Sequence, residues 1–326
     1  MPADLATEFL TRLSQFCADQ TVDLEALMET VLADRAPQRS PADLDHRALL
    51  ASPRSADRQQ LWHQVGLAQM HLAVNTIDHV RALSTVLSAP RARVPVYAHA
   101  GLARAAIESA ALLLHLLADG ETFDARLARG VALLIMDAGE AAKAARRVPG
   151  NPYMPSPGPK ATADRDELLA LVDRARIVQV RNRNNTATKS ITVGDSPEQT
   201  AAVKASDLAA KHFADQPAIY NLLSGIVHGL PWRLADSATL RGREMLWEPD
   251  PMDIAGSVLA AVAAASRVGG GFAAYRGFPD DRRVVALAGR VNQVDRAMQT
   301  FGRKWGVLDG RQPTIARFLQ PGPTRQ

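Results

Sequence analysis

The segment from about residue 95 to 119 constrains the fold more than any other part of the chain. Read as a helix at ~100° per residue, it gathers Tyr97, Arg104, Glu108 and His115 into one stripe less than about 90° wide. Almost everything else on it is apolar: Leu102, Ala103, Ala106, Ile107, Ala110, Leu113, Leu114 and Leu117, with Leu112 and Leu116 reaching round the side. A helix so apolar is largely buried. Its polar stripe is then either a thin solvent-facing seam or the wall of a polar pocket. An exposed Arg104–Glu108 pair at i,i+4 contributes only about 0.2–0.5 kcal/mol, so the two readings differ in what the stripe faces.

The rest of the chain carries the same 3.6-residue period between proline and glycine stops. Helices are expected near 3–18, 22–34, 55–88, 123–147, 164–182, 198–213, 217–229, 252–276 and 280–306. Residues 37–53 and 149–159 read as loops, the second too rich in proline for a helix. At most a short strand is expected at Ser190–Val193, and a small hairpin between Trp232 and Trp247. The last helix repeats Val284, Leu287, Val291, Val294, Met298, Phe301 and Trp305 at spacings of 3, 4, 3, 4, 3 and 4. That seam packs into a bundle or onto a partner helix, which admits a homodimer. Gly269-Gly270-Gly271 permits a close helix crossing or a bend. The expected fold is all-α: a multi-helix bundle over 55–306, a small helical N-terminal extension over 1–54, and a loose tail over 307–326.

Composition narrows the class. Apolar residues are 47% and charged residues 22% of 326, the mix of a packed globular protein. The one cysteine, Cys17, excludes an intramolecular disulfide framework and any Cys-based zinc cluster; with Phe9, Leu10, Leu13 and Phe16 it belongs to a buried helix face. The first residues lack a basic start and an apolar stretch, and no segment reaches the roughly 18 uncharged apolar residues of a membrane span. A soluble cytoplasmic protein with no membrane partner is expected. Of 38 basic residues only six are Lys, a usage that points to a GC-rich bacterial genome. From Arg267 to the end there are eleven basic and four acidic residues, a balance of +7, against −3 for residues 1–266.

The second informative segment is YNLLSGIVHGLPW. Tyr220, Ser224 and His228 step at i, i+4 and i+8 along one side of a short helix, with Leu222, Leu223, Ile226 and Val227 on the other. His228 stands at the C-terminal end, where the helix dipole favours a protonated ring. A C-capping His with Tyr and Ser bonded nearby is the alternative to a general acid or base.

The pairing of ARAAIESAALLLHLL with YNLLSGIVHG resembles uncharacterised bacterial all-helical proteins related to the HEPN superfamily, over about residues 95–276. There an Arg-x3-Glu on one bundle helix goes with a Tyr-x3-Ser-x3-His on another, matched here by Arg104 and Glu108, then Tyr220, Ser224 and His228. The resemblance implies a helical bundle that often dimerises, with polar residues of two helices meeting in one cleft. It also implies metal-independent ribonuclease chemistry, in which a His handles the ribose 2′-hydroxyl proton and an Arg stabilises charge on the phosphate. In characterised members four to six residues separate that Arg from the His. Here Arg104 and His228 lie on different helices, although Arg58–His63 and Arg93–His99 match the spacing literally.

Arg174, Arg176, Arg181, Arg183 and Lys189 form a basic cluster with Asn182, Asn184 and Asn185, able to follow a phosphate backbone but without aromatic residues for stacking. His63, His71 and His79 recur every eight residues and spread around their helix, so they cannot share a metal. Asp43-Leu44-Asp45-His46 has ligand character in an expected loop without partners. No HExxH, phosphate loop, nucleophile elbow or Rossmann fingerprint is present, and no cofactor or metal is expected. The expected site is His228, Arg104 and Glu108 as catalytic residues, with Tyr220, Ser224, Arg181 and Arg183 binding RNA or a nucleotide. The alternative is a non-catalytic helical interaction protein whose polar stripes are structural.

Overall fold

The computed structural model describes residues 2–90, 93–151, 153–184, 188–234, 237–241 and 243–309. Along them run α1 (Pro2–Ala33), α2 (Pro41–Ala51), α3 (Ser55–Leu87), α4 (Ala98–Leu117), α5 (Phe123–Ala145) and α6 (Gly158–Arg174). Strands β1 (Val178–Arg181), β2 (Thr188–Thr192) and β3 (Gln199–Thr200) follow. Then come α7 (Ala205–His212), α8 (Ile219–Val227), the short α9 (Pro231–Leu234), the hairpin β4 (Ala238–Arg241) and β5 (Glu244–Trp247), α10 (Pro251–Arg276) and α11 (Arg282–Asp309). The fold is an all-α multi-helix bundle with two small strand insertions.

α10 is its axis. Every residue from Pro251 to Ala265 is buried, and α4, α1, α11 and α3 pack around it. Small residues allow that crowding. A Cβ on Gly269 would come within 2.6 Å of Leu287 and 3.2 Å of Leu24 and Leu27, and one on Gly271 within 2.8 Å of Leu114. The glycine run is therefore the close helix crossing expected of it. α10 starts on an Asp250 cap, whose carboxylate accepts from Met252 N at 2.7 Å, and ends at Gly277 in the left-handed region. α4 and α10 are the two described helices long and apolar enough to cross a membrane, and more than half of each apolar stretch is buried inside the bundle.

The opening 54 residues are not an appended extension. α1 is one continuous helix instead of two, and Leu10, Leu13, Cys17, Leu24, Leu27 and Val31 are buried in the main core. The polar run that suggested a break is absorbed: Thr21 Oγ1 donates to Ala18 O, and the Gln20 amide donates to Val262 O at 2.9 Å. Burial lifts the Cys17 thiol to about 12, so it behaves as a small apolar side chain. The expected loop over 37–53 holds α2, because Pro41 occupies its first turn behind a Ser40 cap, where proline is tolerated. Asp45 is therefore no metal ligand. It accepts both forks of Arg126, at 2.7 and 2.6 Å, and the Tyr275 hydroxyl at 3.0 Å, tying α2, α5 and α10 together.

α6 starts at Gly158, earlier than its period suggested, with Pro159 in its first turn. The chain then leaves the helical state at Arg174 for β1. β1 and β2 pair antiparallel with Val178 opposite Thr192, and β3 adds with Ile191 opposite Gln199. Ile191 and Val193 close a second core with Leu127, Val131, Leu171 and Val172. α7 is accordingly shorter than the 198–213 helix expected there. The hairpin expected within 232–247 forms as β4 and β5, Ala238 opposite Trp247. The seam of α11 is spent inside the molecule: Leu287, Val294, Met298 and Phe301 are buried against α1 and α10. The expected tail begins within α11, and 310–326 lie outside the described residues.

Candidate functional site

The polar stripe of α4 and the polar side of α8 face each other. α8 buries Ile219, Leu222, Leu223 and Ile226, which turns Tyr220 and Ser224 toward α4; Val227, expected on the buried side, is half exposed. His228 caps α8, its N–H donating to Ser224 O at 2.9 Å, and Gly229 takes the left-handed conformation that reverses the chain toward α9.

Four side chains then form one chain of contacts. Arg104 Nε donates to Glu108 Oε1 at 2.9 Å, and Tyr220 Oη donates to the same carboxylate oxygen at 2.8 Å. The guanidinium lies 5.5 Å from the centre of the Tyr220 ring, and its Nη1 is 3.1 Å from His228 Nε2. A guanidinium can only donate, so Nε2 accepts and the imidazole proton resides on Nδ1. Partial burial opposes the charge on Arg104, but the Glu108 carboxylate holds the guanidinium above its usual range. Burial, then Glu108, raises the Tyr220 hydroxyl, which stays a donor at neutral pH.

The cluster is partly open. Arg104 is 18% exposed and Glu108 31%, while His228 is at the surface. Ser224 Oγ is buried and has no hydrogen-bond partner among the described residues. The arrangement can hold an anion on Arg104, whose five N–H donors are not all committed, and can accept a proton at His228.

The other expected site residues stay apart. Arg181 and Arg183 are exposed on and after β1, and no described contact joins either to the α4–α8 cluster. Arg174 of the same basic run is paired with Asp57 at 3.4 Å. Asn185 lies outside the described residues. His115, the fourth member of the α4 stripe, faces away from the cluster toward Arg129, Lys211 and His212, and burial, then the Arg129 and Lys211 charges, lowers its pKa to about 4. The literal Arg–His spacings also dissolve. Arg58 is buried and donates to Ala175 O while His63 is exposed, and His99 is buried against Ser257 while Arg93 is exposed. Among the described residues no group of three or more metal-type ligands exists.

Two neighbours of the cluster were not legible in the sequence. The Trp232 indole lies across Gly225, where a Cβ would come within 2.9 Å of its ring. Trp247 meets Tyr97 edge to face at 6.4 Å, and the Tyr97 hydroxyl donates to Leu234 O at 3.0 Å. The signal that pointed to them was slight: a Trp directly after the helix-ending HGLP, and another in a stretch without helical period. Comparison with family models, with curated proteins and with solved structures finds no match.

Proposed function

We propose that this is a HEPN-like helical protein whose cleft between α4 and α8 binds RNA or a nucleotide and cleaves RNA without a metal. The observation that carries the reading is the 3.1 Å approach of Arg104 Nη1 to His228 Nε2, across 124 residues of sequence, with Glu108 fixing the guanidinium. It supplies what cleavage next to a ribose needs: a cation for the phosphate and a neutral imidazole for the 2′-hydroxyl. On binding, Arg104 turns Nη1 from the imidazole to a phosphate oxygen. His228 Nε2 takes the 2′-hydroxyl proton, the 2′-oxygen attacks the adjacent phosphorus, and the bond to the 5′-oxygen breaks. That oxygen takes a proton from water, the hydroxide so formed takes the proton back from the His228 imidazolium, and a 2′,3′-cyclic phosphate is left. Tyr220 holds Glu108, and Ser224 offers a hydroxyl to the bound group. The bacterial, cytoplasmic and homodimeric character expected from the sequence belongs to the same proposal.

One observation favours a non-catalytic interaction protein instead: apart from Ser224, the cluster's side chains satisfy one another and so also lock α8 onto α4. Cleavage of single-stranded RNA with EDTA present separates the readings. Under the enzymatic one, Arg104→Ala and His228→Ala each lower the rate at least about 100-fold while circular dichroism stays that of the parent. If the parent neither binds nor cleaves RNA and both variants merely melt earlier, the cluster is a structural lock.

A further inference from the structure

The neighbourhood of His228 exposes an aromatic surface that the bundle does not use. Trp232 is 57% exposed and Trp247 51%, with Val227, Leu230 and Met245 also uncovered. Both indoles are held in place from beneath. Trp232 rests on Gly225, one helical turn before His228, where any side chain would lift it off α8. Trp247 meets the ring of Tyr97 at a T-shaped angle of 71°, and Tyr97 is the N-cap of α4, about 10 Å along the axis before Arg104. Aromatic side chains anchored yet half exposed are costly to leave in water, and these two rest on α8 at Gly225 and on the start of α4 at Tyr97, the two helices that carry the polar cluster.

The hairpin that carries Trp247 is of mixed charge, Glu244 and Glu248 beside exposed Arg243, while Arg104 supplies N–H donors at the α4–α8 cluster. A ligand that fits has a flat apolar ring at the tryptophans and an anionic group at Arg104. We infer that Trp232 and Trp247 are the base-stacking platform of this site, taking the nucleobase of a nucleotide whose phosphate is held by Arg104. The inference rests on the nucleotide reading of the α4–α8 cleft and adds the specificity element: the site recognises bases as well as phosphates. Stacking needs only a π-face, so the platform tolerates any base and favours purines, which present the larger face.

The test uses the full chain and four probes: inorganic phosphate, ribose 5-phosphate, adenosine monophosphate and a single-stranded hexaribonucleotide. Adenosine monophosphate quenches the intrinsic tryptophan fluorescence and binds more tightly than ribose 5-phosphate. Trp232→Ala and Trp247→Ala each weaken it roughly tenfold while ribose 5-phosphate is unaffected, and Trp→Phe at the same positions restores most of the loss. A hexanucleotide that binds more tightly still identifies the ligand as a strand; equal affinity identifies a free nucleotide. Arg104→Ala weakens every probe, phosphate included. If the tryptophan variants bind adenosine monophosphate like the parent while Arg104→Ala does not, the platform is wrong and the cleft reading stands. If Arg104→Ala changes nothing, or no probe binds, the cleft reading falls and the platform with it. If the parent sediments as a dimer that Trp→Ala turns into a monomer with ligand binding unchanged, the patch joins two copies of this chain and the inference is overturned.

Discussion

His99 is fully buried between α4 and α10. Its Nε2 donates to Val96 O at 2.9 Å, so Nδ1, 2.8 Å from Ser257 Oγ, accepts. Burial lowers its pKa to about 4, the Val96 bond opposes that, and the Arg233 charge adds to it. The sign of the consequence follows from linkage. The unfolded ring takes a proton near pH 6.5 and the folded ring only near 4, so between those values the unfolded state holds more protons. The contribution is fully present above about pH 6.5, declines as pH falls, and levels off below about 4, a loss of roughly 3 kcal/mol. His115 and His212, also lowered to about 4 by burial and nearby cations, act in the same direction, less strongly because they are partly exposed. In His99→Asn the fall in unfolding free energy between pH 6.5 and 4 becomes shallower by about one proton per molecule. Urea titrations at half-unit pH steps read this directly, and an unchanged slope would mean that His99 is not the acid-sensitive group.

At the scale of single helices, the glycine run of α10 separates packing from propensity. Gly269 faces Leu24, Leu27 and Leu287 with no room for a methyl group, whereas nothing lies within 4 Å of a Cβ on Gly270. Gly269→Ala therefore forces the α1–α10–α11 contact apart at a cost of about 1–3 kcal/mol. Gly270→Ala stabilises the protein by about 0.5–1 kcal/mol, because the open site gains helix propensity alone. Thermal melts of the two variants should move in opposite directions, and a common direction refutes the assigned faces. Helix period is what made these elements readable beforehand. It placed Arg104 with Glu108 and Tyr220 with Ser224, since 3.6 residues per turn fixes which side chains share a face. Local sequence could not say that the two faces meet, because the Arg104–His228 contact spans 124 residues. The remaining errors have local causes. Pro41 reads as a breaker but occupies a first turn, and Gln20 reads as a loop residue but its buried amide spans to α10. The β1 strand hides because its Val-Gln-Val-Arg alternation lasts only four residues and leaves Val178 and Val180 exposed.

For the whole molecule, the two ends of the chain build one wall. α1 lies against α3, α10 and α11, so residues before 34 are packed against residues after 250. Polar ties span the same distance: Arg290 Nη2 donates to Asp23 at 2.6 Å and Arg276 Nε to Val31 O at 2.9 Å. The five buried Leu and Val side chains of α1 named above are each worth about 1.5–3 kcal/mol of burial, together on the order of 10 kcal/mol. That equals most of the roughly 5–15 kcal/mol by which a native domain is stable. A protein starting at residue 35 should consequently lose its cooperative melt, and with it the α3–α4–α10 packing that presents Arg104 to α8. Adding residues 1–34 as a separate peptide should restore helical signal and melting cooperativity together, because the groove for α1 is formed by α3, α10 and α11 alone. A shortened chain that melts cooperatively within a few degrees of the parent would instead make α1 an accessory, and the site on α4 would owe it nothing.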